Sequence, residues 1–294
     1  MPDKDTVVAV ISDMQVGSTV ALCPPRWNLY EGGTFHASPA QNIIHRQWIH
    51  SAKQVNELLT ETRIRKRLVL VLNGEPIDNH HHDTPQIITK TPGEQIDMAI
   101  TLLDEWMQLA GYEPKRGDCM YLVRGTSAHE KGEHIEQIGR DLAGVVPYRK
   151  DSSKTTKDGR YHFQKLRRTV NGVQFDITHH GFSRGSRAHT TENAIYNTLK
   201  SMYFTGLDYG YESPDFVIRS HKHVFTYAWY HGRNKAMYGC QTPCWQLKTH
   251  FGNMVAANEI INTIGMISFD VTKDGAAQVY PEIMEVEDTK VEEF

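Results

Sequence analysis

Short apolar runs rich in valine, isoleucine and leucine recur along the chain: "VVAVI" at 7–11, "LVLVL" at 68–72, "MYLVR" at 120–124, "VQFDIT" at 173–178 and "DFVIR" at 215–219. Each has the length of a central strand and gives way to polar or glycine-bearing residues. Longer amphipathic segments lie between them, at 39–62, 93–110, 132–143 and 188–204. In the first of these Ile44, Trp48, Ala52, Val55 and Leu59 recur at helical spacing. Ser38 ahead of Pro39 predicts an N-cap with proline at the first helical position. Strand and helix in alternation predict an α/β fold. Beyond residue 222 the pattern turns strand-like, in "VFTYAWYHG", "KAMYGCQTP" and "GMISFDVTKDGAAQVYPEIME", which predicts a second set of antiparallel strands with a turn at Lys273-Asp274-Gly275. No repeat or low-complexity linker divides the chain, so one domain over 1–294 is expected, with a basic insertion at 149–168 and an acidic, solvated tail at 282–294.

Composition narrows the classes without choosing among them. With 39% apolar and 23% charged residues and a formal net charge of -3, the chain has the profile of a globular protein without a global pull toward nucleic acid or anionic lipid. It has no apolar run of membrane-spanning length, and its first residues lack a secretory pattern, so a cytoplasmic protein with no membrane partner is expected. Cys23, Cys119, Cys240 and Cys244 are too few and scattered for a disulfide framework. Cys240 and Cys244 are spaced like half of a zinc site but lack a second cysteine pair. The 16 histidines are more informative, because they cluster in "NHHHD" at 79–83, "THHG" at 178–181 and "SHKHV" at 220–224.

Every strand exit carries the same kinds of residue. Asp13 and Gln15 follow the first run, and Glu75 and Asp78 the second. Thr126, His129 and Glu130 follow the third, His179 and His180 the fourth, and His221 and His223 the fifth. Side chains just past the carboxyl ends of strands in an α/β sheet converge on one crevice. A carboxylate and imidazole mixture there suits Mn²⁺, iron or Zn²⁺, and its size suits two ions sharing one bridging carboxylate.

In order, "SDMQVGS", "NGEPID", "RGTSAHE", "THHG" and "SHKH" resemble the five sequence blocks of the calcineurin-like metallophosphoesterases, over roughly residues 7–225. "VALCPPRW" and "GTSAH" are similar to the phage and prophage branch of that family. The resemblance implies a two-layered β-sandwich flanked by helices, a dinuclear site and hydrolysis of phosphate esters. It also implies that Asp13 and His223 hold one metal with Gln15 beside them, that Glu75 bridges, and that His179, or alternatively His180, joins His221 on the second. His129 takes the place of the histidine that steadies the phosphate and protonates the leaving oxygen, with Glu130 orienting it. Three positions depart from the family: Gln15 replaces a histidine, Glu75 an aspartate, and Thr126 or Ser127 stands where an asparagine ligand is expected. A glutamine offers only a neutral carbonyl oxygen, acceptable to a hard ion such as Mn²⁺ or Mg²⁺.

Substrate cues are basic. Eight Lys and Arg against two Asp fill 149–168, including Arg167 and Arg168, and Arg184 and Arg187 follow the fourth block. Guanidinium groups there are suited to bidentate phosphate contact, and a basic loop with interleaved aromatics to a nucleic-acid backbone. The expected function is a metal-dependent phosphodiesterase or nuclease with two divalent ions, Mn²⁺ foremost, acting on DNA, RNA or nucleotides. The rival is a phosphoesterase-like binding module without turnover.

Overall fold

The computed structural model describes residues 4–80, 84–129, 132–148, 160–182, 191–249 and 262–285. In chain order the elements are β1 (Thr6–Ile11), the hairpin β2 (Arg26–Asn28) and β3 (Thr34–His36), α1 (Pro39–Thr60), β4 (Arg67–Asn73), α2 (Pro92–Leu109), β5 (Cys119–Val123) and α3 (Gly132–Asp141). They continue with β6 (His162–Phe163), β7 (Leu166–Val170), β8 (Val173–Ile177), α4 (Thr191–Tyr209), β9 (Phe216–Arg219), β10 (Thr226–His231), β11 (Ala236–Gln241), β12 (Thr263–Val271) and β13 (Ala277–Glu285). Helix α1 begins as expected: Ser38 and Gln41 form a reciprocal capping box, with Pro39 in the first turn.

Two sheets carry the fold. One has six strands in the order β13-β12-β1-β4-β5-β6 and the other five in the order β10-β11-β9-β8-β7. Alternation along β1 explains why they stack. Val7, Ala9 and Ile11 pack with Ile44, Trp48, Leu102 and Trp106 of α1 and α2, whereas Val8 and Val10 pack with Phe175, Phe216, Ile218 and Tyr238 of the second sheet. The outer face of the second sheet, through Val217 and Met237, is covered by Ile195, Leu199 and Tyr203 of α4. The result is an α/β fold, a two-layered β-sandwich flanked by helices. Each fully buried aliphatic side chain contributes about 1.5–3 kcal/mol, so strands buried on both faces dominate the stability.

Three sequence expectations change. The strands beyond residue 222 are not a separate antiparallel set. β11 runs parallel to β9 and extends the five-stranded sheet, while β12 lies antiparallel against β1 and hairpins with β13 in the other sheet. Almost every residue of β12 is buried, which suits an interior position beside β1 rather than an outer layer. Part of the basic insertion is strand: β7 pairs with β8 through a left-handed Asn171-Gly172 turn, the type that hairpins favour, and residues 149–159 lie outside those described. The acidic tail also starts later than expected, because β13 continues through Glu285 and pairs there with Thr263.

Candidate metal centre

The strand exits form the site because their backbones leave the sheet abruptly. Seven non-glycine residues among those described adopt left-handed φ, and five of them are Asp13, Gln15, Glu75, His221 and His223, with φ between 51° and 75°. Such a conformation costs a side-chain-bearing residue on the order of 1 kcal/mol and persists only where the surroundings impose it. Here backbone hydrogen bonds do so. The exits of β1 and β4 remain zipped, with Asp13 N donating to Gly74 O, Gln15 N to Glu75 O and Val16 N to Pro76 O, each at 3.1 Å. Trp245 N donates to Asp13 O at 2.9 Å, and Thr263 N to His223 O at 3.0 Å. Gly74, at φ 83°, must lack a side chain, because a Cβ there would run into the His179 ring and the Gly125 backbone.

Beneath the site lies a floor of small polar groups that the sequence reading did not single out. Ser12 Oγ meets Thr242 Oγ1 at 2.6 Å, Thr242 Oγ1 donates to Ser220 Oγ at 2.8 Å, and Asn73 Nδ2 donates to Ser220 Oγ at 2.6 Å. These residues end or follow β1, β11, β9 and β4, so the network ties exits from both sheets together. A small polar residue ending each apolar run was the available signal.

The side chains converge as two groups that share one carboxylate. Glu75, His179 and His221 bring ligand atoms within 4.8 Å of one another, and so do Asp13, Glu75 and His223. His179 Nε2 lies 3.1 Å from Glu75 Oε1, and His223 Nε2 lies 3.3 Å from Asp13 Oδ1. The Nδ1 of His179 donates to Asn73 O at 2.7 Å, which fixes the ring and turns Nε2 inward. His180 is exposed, and its ring stands 6.1 Å from those of His179 and His221. It belongs to neither group.

Gln15 and Thr126 both act on Glu75. Gln15 Nε2 donates to Glu75 Oε2 and Thr126 Oγ1 to Glu75 Oε1, each at 2.6 Å. Gln15, Glu75 and Thr126 therefore form one hydrogen-bonded unit. His129 Nδ1 donates to Asp78 O at 2.9 Å, leaving Nε2 4.0 Å from Glu75 Oε2. Asp78 Oδ1 in turn accepts from Gln246 Nε2 at 3.3 Å, a buried partner that nothing in the sequence pattern marked.

Electrostatics point to a cation. Burial opposes charge on Glu75, but His179 and His221 hold its carboxyl well below the ordinary carboxylate range. Burial likewise opposes charge on His179, yet Asp13 and Glu75 raise its pKa to about 9. The same opposition leaves His129 raised, through Asp78 and Glu75. Of the nine buried side-chain polar atoms without a hydrogen-bond partner among the described residues, four belong to this group: Asp13 Oδ1, Gln15 Oε1, His179 Nε2 and His221 Nδ1. Buried groups of this kind are ordinarily paired, so four orphaned lone-pair atoms around two carboxylates fit bound divalent ions.

Two further sequence candidates, Arg167 and Arg168, have partners of their own. Arg167 Nε donates to Asp176 Oδ2 at 2.7 Å, and the Arg168 guanidinium sits 5.3 Å from the ring centres of Tyr121 and Phe163. Glu130, Arg184 and Arg187, with His81 and His82, lie outside the described residues. Cys240 and Cys244 are buried free thiols and join neither ligand group. No described helix is long and apolar enough to cross a membrane.

No protein-family model and no curated protein sequence matches the chain. Among solved structures it is similar to Vps29 complexed with Zn²⁺ from Entamoeba histolytica, at 11% identity and a TM-score of 0.35, covering 95% of this chain and 98% of that one. A predicted phosphoesterase from Streptococcus pneumoniae is similar at 9% identity and a TM-score of 0.32, with 94% and 98% covered. A phosphatase from Mycoplasma pneumoniae is similar at 10% identity and a TM-score of 0.40, with 96% and 94% covered. The chemistry of the centre therefore rests on its own residues.

Proposed function

We propose that the chain is a metal-dependent phosphoesterase acting on phosphodiesters, with nucleotides or nucleic acid as its substrate class. The observation that carries this reading is the double membership of Glu75, which stands in both ligand groups beside orphaned imidazole and carboxylate atoms. Asp13, Glu75 and His223 would hold one ion, and Glu75, His179 and His221 the other. The two carboxylates in the set, with the unpartnered Gln15 Oε1 nearby, suit a hard ion such as Mn²⁺. When bound, such ions supply Lewis acidity toward a phosphoryl oxygen and toward the attacking water.

The remaining roles belong to the chain itself. Gln15 and Thr126 clamp opposite oxygens of Glu75 and so fix the plane of its carboxylate. The Asp78 carbonyl holds His129 with Nε2 toward the crevice, placing a proton where a leaving oxygen can take it. Arg184 and Arg187 are proposed to contact the phosphate. The order of the five blocks, similar to that of the calcineurin-like metallophosphoesterases, supports the same reading.

Elemental analysis of protein purified without a metal-affinity tag, followed by hydrolysis of bis-p-nitrophenyl phosphate, tests it. About two ions per chain are expected, as in two-metal hydrolases, with turnover that a chelator abolishes, Mn²⁺ restores and His129→Ala depresses. Folded protein that binds no divalent ion and turns over no ester would overturn the proposal in favour of a binding module.

A further inference from the structure

Directly after His223 the chain enters β10, and the side chains of that strand divide by alternation. Ala228 and Tyr230 pack toward α4. Tyr227 and Trp229 point the other way and rest on Tyr238, with ring centres 5.8 and 4.9 Å from it. Phe225 extends the row beside Tyr227 at 5.8 Å, and His231 stacks on Trp229 at 6.2 Å with planes 16° apart. Tyr227, Trp229 and His231 of β10 thus occupy alternate positions about 6.8 Å apart along the strand, with Phe225 just ahead of it in the same alternation. β10 is the end strand of its sheet, and Tyr227 and Trp229 remain 49% and 44% exposed. A row of large rings half open to solvent beside a reaction centre calls for a ligand that covers it.

Charge indicates which ligand. From Phe216 to Asn258 the sequence contains no Asp or Glu, while Arg219, Lys222, Arg233, Lys235 and Lys248 fall within it, in a chain whose net charge is -3. Arg219 and Lys235 are engaged by Asp176 and by Glu212 and Asp215. Arg233 follows the far end of the ladder. Rings that stack without regard to sequence, in an acid-free and cationic segment, are the means by which proteins hold single-stranded nucleic acid.

We infer that β10 is a base-stacking platform that receives a single-stranded nucleic acid whose backbone leads into the metal centre. This rests on the phosphodiester reading above and adds a substrate form to it. The test is fluorescence anisotropy of a labelled single-stranded oligothymidylate with the full chain in chelator, so that no cleavage intervenes, against an abasic strand of the same length and charge.

Wild-type protein is expected to prefer the base-bearing strand. Tyr227→Ala and Trp229→Ala should each lower its affinity about tenfold, in the range of one stacked base. Tyr227→Phe and Trp229→Phe, which keep a ring, should retain most of it, and hydrolysis of bis-p-nitrophenyl phosphate should be unchanged in all four. Equal affinity for the two strands, or alanine variants that bind like wild type, would overturn the platform. So would ladder variants that abolish self-association of the protein while leaving strand binding intact. Ladder-dependent binding by a protein that hydrolyses no phosphodiester would instead uphold the platform and defeat the phosphoesterase reading.

Discussion

Glu75 and Asp176 are both carboxylates with side chains almost wholly removed from water, yet they are held in opposite ways. Asp176 Oδ2 accepts from Arg167 Nε at 2.7 Å and Lys165 Nζ at 2.8 Å, and Oδ1 accepts from an Arg219 nitrogen at 2.9 Å. Arg219 is completed by the carbonyls of Asp176 and Ile218. Among the described residues Glu75 pairs with no Lys or Arg. Its neighbours are imidazoles and two neutral donors, and lone pairs around it stay unpartnered. The backbones differ as well, since Asp176 lies within β8 whereas Glu75 is left-handed. A buried acid saturated by permanent cations is a finished structural contact. One held by imidazoles and amides in a strained exit retains room for a cation that no side chain supplies.

Substitution should separate the two. Glu75→Ala removes the member common to both ligand groups, so elemental analysis should find both ions lost and turnover below detection, with the cooperative thermal transition retained in chelator. His221→Ala touches one group and should lose one ion. Equal losses in these two variants would break the assignment of Glu75 as the shared group. Asp176→Ala should do the reverse: metal content unchanged, stability in urea reduced by about 3–5 kcal/mol, because Arg219 is left buried without its partner.

The pH dependence of Asp176 sharpens this second arm. Burial pushes its carboxyl up, but Arg219, Lys165 and Arg167 outweigh burial and hold it below the usual carboxylate range. A depressed native pKa means that the unfolded chain binds the proton first as pH falls. The stabilisation is therefore complete above the unfolded value near pH ~3.9 and is lost as pH drops through the lower native value. Urea midpoints in acid should fall more steeply for wild type than for Asp176→Asn, which cannot titrate there. Parallel profiles would remove Asp176 from the acid response.

The same contrast explains how much could be read from sequence. The central strands announce themselves because both faces are buried, and the first polar residues after each run mark the crevice. Thus Asp13, Glu75, His179, His221 and His223 are visible as candidates before any coordinates. What decides between His179 and His180 is not visible, since it depends on the Asn73 carbonyl, on another strand, reaching one ring. Sheet membership of β11 and β12 is equally hidden, because both pair with strands distant in sequence. The Asn171-Gly172 turn carries a local hairpin signal, but the basic run before it suggests a loop. The β10 ladder reads as an ordinary alternating strand until the sheet order places it at an edge.

The finest test concerns the neutral clamps on Glu75. Thr126→Val keeps the shape of the side chain and removes only the hydroxyl that donates to Oε1. If that bond holds the carboxylate in the plane both ions need, metal affinity measured by titration calorimetry should fall about 10- to 100-fold, the usual effect of losing a group that orients a ligand. Thr126→Ser, which restores the donor, should recover most of it. If the hydroxyl instead competes with an ion for the same lone pair, the valine variant should bind metal more tightly than wild type, and the clamp would be a brake on metal binding. The sign of the change thus distinguishes a carboxylate prepared for metal from one whose binding capacity is already taken, which is the property that sets Glu75 apart from Asp176.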